Sequence, residues 1–321
     1  MKISAPYILF IALLIPAFCS CNNRDKPAET YDPGDVMLKS VYDLAGRVLK
    51  ERAAGFIFER MDEDASQDFF ELSGRRGKIV IRGNSGVSLA SGLNWYLKEY
   101  CNAQFTIIDE QLNLPDPLPL PKAAERVETA HEYRYFFNVC TFSYTMAWWN
   151  WEKWERQIDW MAMNGINLPL AITGQEAVWY EVYKELGLSD QQIDDFIVGP
   201  AYFPWGWMGN VDGLGGPVPK SWLENHKLLQ QKILQRERAL GMTPILQGFT
   251  GHVPESIIEL FPDAQLHKTG KRRAGYHYLY IQLYPGTQRK LPHRCSSCRC
   301  LCGNPEYGLQ LLWGLEYGWY C

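Results

Sequence analysis

Two glutamates and one histidine are the first residues in this 321-residue chain that invite a chemical reading. Glu176 in "TGQEAVW" and Glu255 in "TGHVPE" each follow an apolar, strand-like run. A pair of carboxylates is what glycoside hydrolysis requires, set roughly 5–5.5 Å apart for retention and roughly 6.5–9.5 Å for inversion. Both, however, stand where a helix is expected to begin, and a carboxylate in a first turn is stabilised there by the helix dipole whatever its chemistry. Spacing alone therefore argues against either as a catalyst. His252 has the chemistry of a base or a metal ligand, but a lone histidine is more often a hydrogen-bonded structural residue.

A second group of residues suits binding rather than bond breaking. "NVCTFSY" follows one apolar run, and a long loop, "GPAYFPWGWMGNVDGLGGPVP", lies between two others. Amides, hydroxyls, rings and a thioether mixed in this way fit a neutral polyhydroxylated ligand, with polar groups on its hydroxyls and rings on its C–H faces. The chain has 12 Trp and 18 Tyr, more than a core alone usually needs. A large core with amphipathic rings at its rim would also account for them. "GLGG" lacks the preceding strand and following helix of a phosphate loop. A formal net charge of −4 and the lack of recurring Lys/Arg blocks give no reason to expect nucleic acid.

"HRCSSCRCLCGNPEYGLQLLWGLEYGWYC" holds five of the nine cysteines. Its Cys298-x-Cys300-x-Cys302 spacing is tighter than the two to four residues typical between structural zinc ligands, and no metal is expected.

The elements needed to position these residues can be read from periodicity. At the N-terminus, Lys2 and the apolar run Tyr7–Phe18 have the form of a secretory signal over residues 1–20, too short to span a bilayer. Cys21, preceded by Ser20, resembles a bacterial lipoprotein acceptor, so export and a lipid anchor in the periplasm or at the outer membrane surface are expected. Residues 21–34 read as a polar tether. A helix over 35–52, a hairpin in "DFFELSGRRGKIVIRGN" and a helix capped by Ser85 make a small α/β domain over 35–111. A Pro-rich link, 112–126, follows. Strands and helices then alternate: "YRYFFNVC" (133–140) as a buried strand, a helix from Asn150 to Gly165, "INLPLAI", a helix ending at Gly187, a long helix from Ser221, and "MTPILQGF". That rhythm predicts a parallel sheet, either doubly wound or a (β/α)₈ barrel. A whole barrel takes about 250 residues, and the pattern supplies about half of that.

The stretch "YRYFFNVCTFSYTMAWWNWEKWERQIDWMAMNGINLPLAITGQEAVW", with "GPAYFPWGWMGN" and "GMTPILQGFTGHVPESIIELFPDA", closely resembles the α-N-acetylglucosaminidases of glycoside hydrolase family 89. The likeness runs from about Glu132 to Lys271. It implies a small N-terminal domain followed by the first part of a (β/α)₈ barrel, incomplete over residues 127–271. It also implies removal of terminal α-linked N-acetylglucosamine from glycans, with retention, by two glutamates and no cofactor. Carried over by position, the sugar pocket would use Asn138, Cys140, Tyr144, Trp205 and Met208, supported by Gln175, Glu176 and His252. The family's two catalytic glutamates lie beyond "GHVPE", the first in a D-x-F-N-E-type motif that does not occur here. Residues 272–321 contain no Asp, two Glu and six basic residues. They read as an out-of-frame tail, and an inactive, truncated enzyme is expected. The alternative is a surface lipoprotein that binds glycans without cleaving them.

Overall fold

The computed structural model describes residues 35–62, 67–248, 251–264, 266–269 and 278–281. The expected signal, the tether with Cys21 and nearly all of 272–321 lie outside the described residues. Among those described, no helix is long and apolar enough to cross a membrane.

The first unit is built on a four-stranded sheet. Helix α1 (Val36–Leu49) opens with the Asp35 side chain accepting from Leu38 N at 2.9 Å, which satisfies one of the free N–H groups of its first turn. Val41, Leu44, Ala45 and Val48 form its buried stripe. A 3₁₀ segment, Lys50–Gly55, replaces the last turn expected of this helix. Strands β1 (Phe56–Arg60), β2 (Phe69–Arg75) and β3 (Lys78–Gly83) follow. The β2–β3 hairpin turns at Arg76 and Gly77, with φ of 50° and 78°. This left-handed pair is the two-residue turn whose twist matches that of the strands. β1 lies parallel to β3 on the other side. Helix α2 (Gly86–Cys101) starts in a capping box between Ser85 and Ser88 and lays Leu89, Leu93, Tyr96 and Leu97 on the sheet.

A small ribbon, β4 (Gln104–Phe105) with β5 (Glu110–Gln111), precedes the Pro-rich segment. That segment ends earlier than expected. Strand β6 (Glu125–Glu128) crosses the anticipated boundary at 126/127 and pairs antiparallel with β2, completing the order β1-β3-β2-β6. An apolar edge strand recruits a backbone partner, and the residues leaving the prolines supply it.

The second unit is an open arc of parallel pairing. β7 (Tyr135–Phe136) runs parallel to β8 (Leu168–Pro169), and Leu170 bridges to Ile245 in the same sense. Thr243 N donates to Asn167 O and Ile245 N to Pro169 O, at 2.8 Å each. Pro169 is accommodated because its carbonyl, which it retains, is the group used here. The expected eight-residue strand at 133–140 shrinks to two residues, and Tyr133 and Tyr135 are 68% and 52% exposed. β8 covers one edge of β7, and among the described residues no strand covers the other. The chain then turns at Asn138.

Helices alternate with these strands. A short turn, α3 (Phe142–Thr145), precedes α4 (Trp151–Met163), whose N-cap is Asn150, accepting from Lys153 N at 3.2 Å. Past its C-cap, Gly165 takes a φ of 78° that other residues seldom adopt. Trp154, Ile158 and Met161 are buried, each worth about 1.5–3 kcal/mol of transfer free energy; Trp151 is only half-buried. α5 (Gln175–Leu186) ends at Gly187, α6 (Asp190–Asp194) begins in the Ser189/Gln192 capping box, and α7 (Phe203–Trp207) interrupts the long loop. α8 (Lys220–Ala239) returns to the third parallel position, and α9 (Ile257–Leu260) is one turn. β9 (Leu266–Thr269) pairs antiparallel with β10 (Tyr278–Ile281). The fold is therefore a small α/β domain and an incomplete (β/α) barrel, with no closure among the described residues.

The two units share one apolar core. Arg47 on α1 grips Asp159 on α4 with two bonds of 2.7 Å. Gly86, at the start of α2, is packed against the backbone of Leu240.

Candidate functional site

The candidate residues gather at the C-terminal ends of the parallel strands, as the barrel pattern requires. Phe136 ends β7, and Asn138 stands two residues on. Its Oδ1 accepts from Cys140 N at 2.8 Å and holds a single 3₁₀ turn, Val139–Thr141. That turn aims Cys140 at the long loop, where Cys140 Sγ lies 4.0 Å from Met208 Sδ. Trp205 stands one turn before Met208 on α7 and is half-buried. Four of the five expected binding residues therefore belong to two segments that touch. Tyr144, on α3, is 68% exposed. Beneath them, Phe142 packs on Trp207 at 5.3 Å and Ser143 Oγ donates to Pro200 O at 2.6 Å. These contacts fix the two segments to each other.

The three supporting residues form a layer below. Gln175 Nε2 donates to Gln247 Oε1 at 3.4 Å, and Gln247 Nε2 donates to Trp207 O at 3.0 Å, tying the start of α5 to α7 through the third strand. Glu176 is 1% exposed in the first turn of α5. Its Oε1 accepts from Trp222 Nε1 at 3.1 Å and meets His226 Nδ1 at 3.0 Å, so it clamps α8 to α5. Its Oε2 has no hydrogen-bond partner among the described residues. Gly174 lets α5 and α8 approach this closely: its φ is 75°, and a Cβ there would meet His226 O at 2.8 Å. Glu255 is exposed in the turn before α9.

His252 is 1% exposed and has a partner at each ring nitrogen. Nδ1 lies 3.0 Å from Gly206 O, and Nε2 lies 2.6 Å from Asp212 Oδ1. A carbonyl can only accept, so Nδ1 carries a proton. The ring thus joins α7, the glycine-rich loop and the "GHVPE" segment, and has no nitrogen left for a metal or a substrate.

Asp212, Gln247, Trp222 and His226 were not legible as site residues. Asp212 had the clearest signal, an acidic residue between two glycine-rich turns, and meaning only once His252 faced it. The loop is locked backbone to backbone: a Cβ on Gly199 would lie 2.1 Å from Gly215 O.

Taken together, the arrangement presents a thiol, a thioether, an indole, an amide and a phenol on a rigid base. Among the described residues it presents no paired carboxylates and no nucleophile beside a free base. It can hold a neutral ligand, and its own groups are committed to one another.

Comparison with known proteins finds one family over both structural units. A model of the α-N-acetylglucosaminidase N-terminal domain matches residues 39–120. A model of the tim-barrel domain of the same family matches residues 134–282, continuing past Lys271 through β10. Human α-N-acetylglucosaminidase is 46% identical over 204 residues, which cover 63% of this chain and 28% of the human protein. The structure of a family 89 glycoside hydrolase from Clostridium perfringens bound to PUGNAc is 40% identical with a TM-score of 0.75, covering 79% of this chain and 29% of that one. The same figures hold for a variant of that enzyme with two glutamates changed to glutamine, in complex with its substrate GlcNAc-α-1,4-galactose. This chain thus spans less than a third of the length of these relatives. Over both of its structural units, the chain belongs to the α-N-acetylglucosaminidase family, glycoside hydrolase family 89.

Proposed function

We propose that Asn138, Cys140, Tyr144, Trp205 and Met208 form the sugar-recognising part of an α-N-acetylglucosaminidase site. Its ligand is a glycan ending in α-linked N-acetylglucosamine, the sugar named in the substrate of the Clostridium enzyme. The observation that carries this reading is the Cys140–Met208 contact, which brings the strand-end segment and the Trp205 loop into one surface. Asn138 is exposed, so its amide can meet sugar hydroxyls beyond the bond it makes to Cys140. Trp205 covers a C–H face, and Met208 fills space softly beside it.

Hydrolysis with retention needs a nucleophilic carboxylate and a second carboxyl acting first as acid, then as base. Glu176 is occupied as a helix clamp and Glu255 lies out on a turn, so neither serves. The 321-residue chain is therefore proposed to bind such glycans without cleaving them. In the full-length family architecture the same residues would hold the substrate for two glutamates further along the chain. The competing reading, a lipid-anchored surface protein whose only role is glycan binding, rests on the same pocket and on lipidation at Cys21.

Both parts are tested by titrating the purified chain with p-nitrophenyl α-N-acetylglucosaminide while monitoring nitrophenol release. Binding without release is expected. Trp205→Ala should weaken it at least tenfold, about 1.4 kcal/mol. Absence of binding would sink the sugar site. Turnover that survives purification and disappears in Glu255→Gln would overturn the assignment of Glu255.

A further inference from the structure

A cavity of about 310 Å³ opens at the other end of the parallel strands, between α2, β6 and the turn after α4. Arg134 precedes β7 and Gly165 precedes β8, whereas Asn138 and Gln175 follow the strands. The two sites are thus separated by the length of the sheet. Ligand pockets start at about this size and are mostly apolar with a few placed polar groups, and this lining fits that description.

The walls are fixed before any ligand arrives. Trp95, 36% exposed, donates its Nε1 to Glu125 Oε1 at 3.2 Å and packs on Phe70 at 6.1 Å between ring centres. The indole is therefore a held platform and not a loose surface ring. Arg134 spends its guanidinium on the carbonyls of Gly165, His131 and Glu132 and on the Asp68 carboxylate. Asn94, 4% exposed, lines the floor, and its Oδ1 has no hydrogen-bond donor among the described residues. Lys98 and Glu128, both exposed, line the cavity with opposite charges.

These features select a ligand class. Arg134 is paired with Asp68 and bonded to three carbonyls, and the four charged side chains of the lining, Asp68, Lys98, Glu128 and Arg134, sum to zero, so no net charge calls for an anion or a cation. A cavity of this volume takes one six-membered ring with its substituents. An indole face, an amide oxygen without a donor and an ammonium donor together suit a body with an apolar face and hydroxyls at its edge. We propose that this pocket binds a neutral pyranose, with Trp95 against its C–H face and Asn94 and Lys98 toward its hydroxyls. It is a second sugar site, built by the small domain and the start of the barrel together, and it is independent of the Trp205 surface.

The test is saturation-transfer NMR and titration of the 321-residue chain with methyl α-glucoside, methyl α-galactoside and methyl N-acetyl-α-glucosaminide. At least one glycoside should bind with an affinity that falls tenfold or more in Trp95→Ala and is unchanged in Trp205→Ala. Lys98→Ala removes only an exposed side chain and should weaken the same binding about threefold, with an unchanged melting curve; it carries the test if Trp95→Ala fails to fold. Three results would overturn the proposal: no glycoside binds, all binding disappears in Trp205→Ala, or Trp95→Ala and Lys98→Ala both leave it intact. The second of these would leave the sugar surface at Trp205 standing while removing this one.

Discussion

Replacing Arg47 by alanine isolates what holds the small domain against the barrel. Arg47 lies on α1 and Asp159 on α4, 112 residues apart. Two bonds of 2.7 Å join them, and the side chains are 27% and 3% exposed. Burial raises the Asp159 carboxyl, and Arg47's bonds and charge oppose that rise. Burial likewise pulls the guanidinium down, but the bonds and charge of Asp159 outweigh it and leave its pKa raised. The bidentate geometry describes an ionised pair. Removing one partner of a buried pair costs about 3–5 kcal/mol, because the other charge is left unpaired. The partial exposure of Arg47 and the nearby Arg236 put the expected loss near the lower end, about 3 kcal/mol.

The sign of the pH dependence follows. In Arg47→Ala the folded-state pKa of Asp159 lies above its unfolded value, because burial remains and the pairing is gone. Such a group contributes stability that is fully present below the unfolded pKa and is lost as pH rises through the folded one. The penalty should thus be full at pH 7 and shrink toward pH 4. Urea denaturation at both pH values measures it. The double variant Arg47→Met/Asp159→Leu should recover to within about 1 kcal/mol of the parent, since an apolar pair of similar volume can replace a buried salt bridge. A loss below about 1 kcal/mol at pH 7, or a penalty that does not change with pH, would refute this account.

Two further substitutions probe the same packing. Gly86→Ala would put a Cβ 2.6 Å from the Leu240 carbonyl oxygen, and overpacking of this kind costs about 1–3 kcal/mol. The lowered urea midpoint should be relieved by no other single change on α2. Glu237 on α8 is fully buried, and burial holds its carboxyl well above the usual 4.5. Stability from its neutral form is lost as pH rises through that raised pKa, so Glu237→Gln should melt higher than the parent at pH 7 and match it at pH 4. Equal melting at pH 7 would show that the carboxyl is not carrying that cost.

Much of the local structure could be read directly from residue order. Asp35, Ser85, Asn150 and Ser189 cap helices with bonds to their own first turns, and Gly165 and Gly187 end helices in left-handed conformations. Each depends on neighbours three or four residues away, so sequence suffices. The alternation of strand and helix, and the likeness carried by "NVCTFSY", "WGWMG" and "GHVPE", likewise sit in contiguous stretches. Tertiary structure decided what depends on distant partners. β6 joined the first sheet because β2 had an open edge. The strand after Tyr133 kept two residues, with β8 its one strand neighbour among the described residues. Glu176 and His252 were committed by Trp222, His226, Gly206 and Asp212, which lie 40 or more residues away along the chain. A carboxylate or imidazole is free or spent according to what faces it in space, and the order of residues does not record that.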